Sequence, residues 1–320
     1  MQKAALLYNP DSGGRRKRRE SELESLVKLL RAEGVEATLV LTDSREHAEE
    51  KTRQAVLAGC DTVFAAGGDG TIHNIIQVLA NTRVALAVLP MGTANALAHD
   101  LHLPMNVIAA GRMLLRAKSR RVALGRIQYR NFDGNTDCRY FVIAAGIGVD
   151  AHLFYKLVPG TKRRLGMAAY YYRAWHLWFT YAMTRFHVEY VEPGAHDTKQ
   201  AELTELLGVR IRSFGGVLKE LAPGASLDRG DMRLVLCRTS SRLAFLSYVA
   251  GAFFRRQWSI PGIDLAYASR VVCESGNQAN DSPSGENRRI YVEADGELLG
   301  TLPAEITVLP DALTILTPAV

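Results

Sequence analysis

The sequence predicts a doubly wound (Rossmann-like) α/β domain over residues 1–121, then an antiparallel β-sandwich domain over residues 122–303. Three observations carry that expectation. Up to about residue 100, short apolar, β-branched runs alternate with segments whose apolar residues recur at i, i+3, i+4 and i+7. After Arg121 the pattern changes to many short alternating runs separated by turn residues. The length, 320 residues, suits two domains.

In order, Ala4–Tyr8 reads as the first strand, followed by the loop Asn9-Pro10-Asp11-Ser12-Gly13-Gly14 and the basic run Arg15–Arg19. Leu23, Leu26, Val27 and Leu30 mark one face of a helix that ends near Gly34. Glu36–Leu41 is the second strand, and a helix over roughly Arg45 to Ala58 stops at Gly59. Asp61–Phe64 is a buried central strand, and Ile72, Ile75, Ile76 and Leu79 form the apolar face of a helix starting at about Thr71. Val84–Leu89 is the next strand, and Pro90-Met91-Gly92-Thr93-Ala94-Asn95 leads into another helix. If these strands are parallel, their following loops share one edge, where such sheets bind ligands.

Strands are expected in the second domain at Arg121–Tyr129, Arg139–Ala144, Phe186–Val191, Glu205–Ile211, Met232–Cys237, Ala266–Cys273 and Arg289–Ala294. A helical region, Val149–Met183, interrupts them, Asn277–Asn287 reads as a mobile loop, and Glu305–Leu309 and Leu313–Leu316 are short apolar runs near the C-terminus.

Hydrophobic residues make up 48% and charged residues 22%, the balance of a globular protein with a full core. A net charge of +6 suits an anionic partner such as a nucleotide or an acidic membrane surface. Cys60, Cys138, Cys237 and Cys273 are widely spaced, which argues against a disulfide scaffold or zinc site and for reduced cysteines in a cytoplasmic protein. No run of 18 apolar residues predicts a transmembrane helix, and no nucleic-acid motif is found. Lys162-Arg163-Arg164 with Tyr170, Tyr171, Tyr172, Trp175, Trp178, Phe179 and Tyr181 form a basic-aromatic stretch, read either as core or as an interfacial face for transient docking on anionic lipid. Arg15–Arg19 would add to that attraction. A homodimer is left open.

The chemistry concentrates in Gly67-Gly68-Asp69-Gly70-Thr71. A strand, a glycine turn and a helix together aim backbone N–H groups and a positive helix end at an anion. A carboxylate in that cradle repels phosphate unless it binds a cation or accepts a proton, which points Asp69 to Mg²⁺-nucleotide chemistry. Asp295-Gly296-Glu297 reads, on its own residues, as a hairpin turn.

Together these motifs make the chain resemble the diacylglycerol kinase catalytic domain family, which includes sphingosine kinases and bacterial lipid kinases. NAD kinases share a related glycine loop. The resemblance rests on Asn9-Pro10-x-Ser12-Gly13, Gly67-Gly68-Asp69-Gly70-Thr71, Gly92-Thr93-Ala94-Asn95 and Asp295-Gly296-Glu297, in the family's order. It implies that the tail, residues 304–320, returns to the first domain. It also implies ATP binding at Asn9, Pro10, Ser12, Gly13, Thr42, Gly67, Gly68, Asp69, Gly70, Thr71, Gly92, Thr93 and Asn95, with Mg²⁺ at Asp69. Glu297 is the expected proton acceptor, Asp295 stands beside it, and Asp69 is a rival base. The implied reaction is transfer of the γ-phosphate to a lipid hydroxyl. A soluble-substrate kinase of NAD-kinase type and a non-catalytic lipid- or nucleotide-binding protein are the alternatives.

Two departures from the family pattern stand out. Ala96 follows Asn95 where many relatives have Asp. Arg229 stands in Asp228-Arg229-Gly230-Asp231 where bacterial relatives have a second Asp at a structural Mg²⁺, so that site is expected to be absent or rebuilt, with Asp231 as its surviving ligand.

Overall fold

The computed structural model describes residues 1–10, 16–148, 183–195, 197–215, 220–253, 259–276 and 289–318. Ser12, Gly13, Arg15, the helical region expected at Val149–Met183 with its basic-aromatic stretch, and the loop Asn277–Asn287 lie outside them, apart from Met183. The chain divides into two compact units. The first comprises Met1–Leu124, Ser213–Lys219 and Leu309–Val320; the second comprises Gly125–Arg212 and Glu220–Val308.

In the first unit, β1 (Lys3–Tyr8), β2 (Glu36–Leu41), β3 (Thr62–Gly67) and β4 (Ala85–Pro90) form a parallel sheet in the order β2-β1-β3-β4. Helices α1 (Arg16–Ala32), α2 (Arg45–Leu57), α3 (Asp69–Leu79), α4 (Ala96–Asp100) and α5 (Val107–Leu115) connect or follow them. The apolar faces read from the sequence are the buried ones: Leu23, Leu26, Val27 and Leu30 on α1, and Ile72, Ile75, Ile76 and Leu79 on α3. Helix α3 begins at Asp69 rather than at Thr71, because Gly68 is its N-cap. This puts Asp69 and Gly70 in the first turn of the helix.

Thr314 and Ile315, near the end of the long strand β15 (Glu297–Thr317), pair in parallel with Ala85 and Leu86 of β4. Arg121 fixes this return. Its guanidinium donates to the Asp311 carbonyl and, at 3.0 Å, to Thr314 Oγ1. The Asn81 N–H donates to the Ala312 carbonyl at 2.7 Å.

The second unit is antiparallel. One run of neighbours is β12 (Ile263–Ala268), β11 (Met232–Cys237), β10 (Glu205–Val209), β7 (Ala144–Gly148), β14 (Tyr291–Ala294) and the start of β15. The other runs β9 (Thr198–Leu203), β8 (Phe186–Val191), β13 (Arg270–Ser275) and β15, which also pairs with β5 (Lys118–Arg130) and through it β6 (Thr136–Phe141). Helix α6 (Arg242–Phe253) follows β11. Several expected strands are redrawn. Ala266–Cys273 is two strands, β12 and β13, broken at Ser269. Arg139–Ala144 covers the end of β6 and the first residue of β7. The two apolar runs near the C-terminus belong to the single strand β15. Among the described residues, no helix is long and apolar enough to cross a membrane.

Candidate active site

Register levels the carboxyl ends of the first unit's strands. Tyr8 stands opposite both Leu41 and Ala66, and Ala66 opposite Leu89. The residues that follow, Asn9, Thr42, Gly68 and Met91, therefore emerge along one edge. The Thr42 N–H donates to the Tyr8 carbonyl at 2.9 Å and the Met91 N–H to the Gly67 carbonyl at 3.0 Å, so pairing continues into the loops.

The loops after β3 and β4 touch through glycine. A Cβ on Gly92 would stand 2.4 Å from the Gly68 Cα, and one on Gly68 would stand 3.2 Å from the Gly92 Cα. Only glycine permits that backbone approach. Gly68 leads into the N-terminus of α3, whose 11 residues aim the positive end of the helix at the edge. Asp69 occupies the first helical position and is half-buried. Thr71 is buried, with its hydroxyl turned onto Gly67 and its N–H donating to the Gly68 carbonyl at 3.0 Å. Thr93 is exposed.

Asn95, an expected ligand contact, is held within its own loop. Its Oδ1 accepts the Gly92 N–H at 2.7 Å and its Nδ2 donates to the Gly92 carbonyl at 3.1 Å, with its own backbone at φ +50°. Asparagine tolerates that left-handed conformation better than most residues. The side chain thus closes the Gly92 loop on itself.

Thr42 is 2 % exposed, and its hydroxyl has no hydrogen-bond partner among the described residues. It does not cap α2; Ser44 does, accepting the His47 N–H at 3.2 Å. A buried hydroxyl left unpaired is costly, so Thr42 suits a position where a ligand supplies the partner. Arg19 was read as part of a basic run for membrane attraction. Its guanidinium donates to the Met91 carbonyl, bracing the loop after β4. Nothing in the sequence separates Arg19 from its basic neighbours.

In the second unit, Ala294 of β14 pairs with Glu297 of β15, leaving Asp295-Gly296 as a two-residue turn. Both turn residues have positive φ, +51° and +83°, as a type I′ hairpin requires. The Asp295 carboxylate is committed. The Val142 N–H donates to Oδ2 at 3.0 Å, and the Ile143 and Ala144 N–H groups donate to Oδ1 at 2.8 and 3.1 Å. The Asp295 N–H returns a bond to the Ala144 carbonyl at 2.8 Å. Asp295 therefore anchors the hairpin to the entry of β7. Glu297, half-buried, opens β15 directly after the turn. One carboxylate escaped the sequence reading: Glu293, 3 % exposed, accepts the Gly296 N–H at 2.8 Å. Its position two residues before Asp295 was the available signal.

Asp231 was the expected surviving metal ligand; its carboxylate is paired with Arg229. Arg229 donates to its Oδ1 at 2.6 Å and its Oδ2 at 2.7 Å, a bidentate pair that takes both oxygens. Arg210, fully buried, donates to the backbone carbonyls of Arg229 and Asp231. Burial pushes its guanidinium down to about 10, while Asp231 pulls the other way. Tyr267 carries Arg229 4.0 Å and Arg233 4.2 Å from its ring centroid. Guanidinium groups thus tie this loop where a cation was considered.

A model of the diacylglycerol kinase catalytic domain matches residues 3–127, and one of the YegS C-terminal NAD kinase beta sandwich-like domain matches residues 143–317. The chain belongs to the diacylglycerol kinase catalytic domain family. It is a lipid kinase by that membership, built of the α/β domain and β-sandwich domain of its family. It is 27% identical over 323 residues to a diacylglycerol kinase of Bacillus subtilis (strain 168), covering 99% of this chain and 97% of that one. It is 28% identical over 318 residues to one of Staphylococcus haemolyticus (strain JCSC1435), covering 98% and 88%. A solved diacylglycerol kinase from Bacillus anthracis str. Sterne superposes with a TM-score of 0.67 at 17% identity, covering 99% of this chain and 97% of that one. Yeast NADH kinase, solved with NADH, shares the fold at a TM-score of 0.51 and 11% identity, covering 99% and 84%.

Proposed function

We propose that this lipid kinase transfers the γ-phosphate of ATP to the hydroxyl of a diacylglycerol or a related lipid, with Glu297 as proton acceptor. The observation that carries the reading is the levelled edge of the first unit. There the close Gly68–Gly92 approach brings the loops after β3 and β4 together beside the start of α3. Asn9, Thr42, Gly68, Asp69 and Thr93 border that edge. Mg²⁺ fits there because such ions are held by one or two carboxylates together with the substrate phosphates, and Asp69 supplies one carboxylate. When bound, the ion neutralises charge on the phosphate oxygens.

The rest falls to the chain's own residues. Backbone N–H groups of the first turn of α3 orient phosphate oxygens. Glu297 accepts the hydroxyl proton as the lipid oxygen bonds to phosphorus and the bond to the ADP oxygen breaks. Asp295 and its three backbone donors fix the hairpin that carries Glu297. The lipid reaches the enzyme at the membrane, on which we expect peripheral and transient docking.

A lipid panel with labelled ATP and Mg²⁺ tests the substrate class, with NAD as the soluble control. Phosphorylation of NAD and of no lipid would transfer the reading to a soluble-substrate kinase. For the base, Glu297→Gln should lower kcat by about 10²–10⁴-fold, the usual cost of losing a general base, with ATP affinity unchanged. Collapse of ATP affinity would place Glu297 at the nucleotide instead.

A further inference from the structure

We infer that Glu293 is a positioning residue for Glu297, an inference that rests on the reading of Glu297 as proton acceptor. Glu293 lies within β14 and is 3 % exposed. A buried carboxylate is costly unless hydrogen bonds compensate it. Here Oε2 accepts the N–H of Gly296, the residue directly before Glu297. The neighbouring strand makes room for this bond. Gly146 of β7 stands opposite Glu293, and a Cβ there would lie 2.7 Å from Glu293 Oε1.

The two turn residues are therefore held by different carboxylates. Asp295 ties the first to the entry of β7 through the Val142, Ile143 and Ala144 N–H groups. Glu293 ties the second through the Gly296 N–H. With both peptides held, the backbone enters Glu297 at a set angle. That matters because a displacement of about 1 Å at a reacting group can cost about 10²-fold in rate. Gly146, with no Cβ, leaves the space that Glu293 Oε1 occupies while Oε2 holds the turn.

A double-mutant cycle on the full chain tests this, reading kcat, the KM for ATP and thermal unfolding. Glu293→Ala and Gly146→Ala should each lower kcat by about tenfold or more, with the KM for ATP within about twofold of wild type. The added methyl of Gly146→Ala meets the far end of a flexible side chain, so that variant should fold even if Glu293→Ala does not. The double variant should be no slower than Glu293→Ala, because the methyl then has no carboxylate to displace. Glu293→Gln should recover most of the rate, since its amide oxygen accepts the same N–H. Wild-type kcat in Gly146→Ala, or losses that multiply in the double variant, would overturn the inference. Glu297→Gln is run alongside. If it keeps wild-type turnover, the proton-acceptor reading falls and this inference with it. If it is inactive while Gly146→Ala and Glu293→Ala turn over normally, only the role of Glu293 falls.

Discussion

Asp69 and Asp295 each follow a strand and sit next to glycine, one in each unit. Asp69 opens an 11-residue helix at the edge of a parallel sheet, beside the loops after three other strands. Asp295 lies in a two-residue turn between antiparallel strands, in a left-handed conformation, with its carboxylate on three backbone N–H groups. What differs is the direction the chain takes after the turn. A crossover to a parallel strand brings several loops to one edge, whereas a hairpin returns the chain along its own path and leaves the turn beside one neighbouring strand. The same dipeptide thus opens a helix at a sheet edge in one unit and anchors a hairpin in the other.

This contrast can be broken most directly at Asp69. Asp69→Asn should lower kcat by at least about 10²-fold, through loss of charge at the phosphate centre, while the melting temperature stays near wild type. Near wild-type turnover would make Asp69 an ordinary first-turn residue and erase the difference. Asp295→Asn should do the reverse, acting first on stability. An amide offers one acceptor oxygen where the carboxylate offers two, so at least one of the Val142, Ile143 and Ala144 donors is left facing an NH₂ group. The expected loss is about 1–3 kcal/mol, read from denaturant unfolding. An unchanged midpoint with abolished turnover would return Asp295 to the chemistry. The smallest effect is expected at Thr42. Thr42→Val should leave stability equal or slightly higher, by up to about 1 kcal/mol, because it removes an unpaired buried hydroxyl. It should also raise the KM for ATP severalfold. A gain in stability with no change in KM would take Thr42 out of the nucleotide site.

Legibility followed the range of the interactions. Most strands and helices of the first unit were readable because their apolar residues repeat with clear periods, although helix α5, Val107–Leu115, was not read. Leu23 to Leu30 and Ile72 to Leu79 give their buried faces directly. In the second unit the residues that decide the site come from far apart in the chain. The donors to Asp295 are 151–153 residues away, and no local pattern records that pairing. Glu293 passed as one more strand residue because what exposes its role is Gly146 on another strand. Helix α6, Arg242–Phe253, was missed because its apolar residues show no sidedness; the helical signal is a contrast between faces. The place of Ser213 in the first unit also had no sequence signal. It is anchored by the Ser213 N–H donating to Asp100 Oδ1 at 2.9 Å.

Strand β15 also sets an order of events. The sheet of the first unit takes its neighbour for β4 from Thr314 and Ile315, more than two hundred residues after β4 itself. On a ribosome, β1 to β4 emerge early, yet β4 has no such partner until the last stretch of β15 has been synthesised. The first unit is therefore completed last, although most of it is translated first. Until then β4 presents an open edge, the kind of surface that chaperones cover and that aggregates by strand pairing.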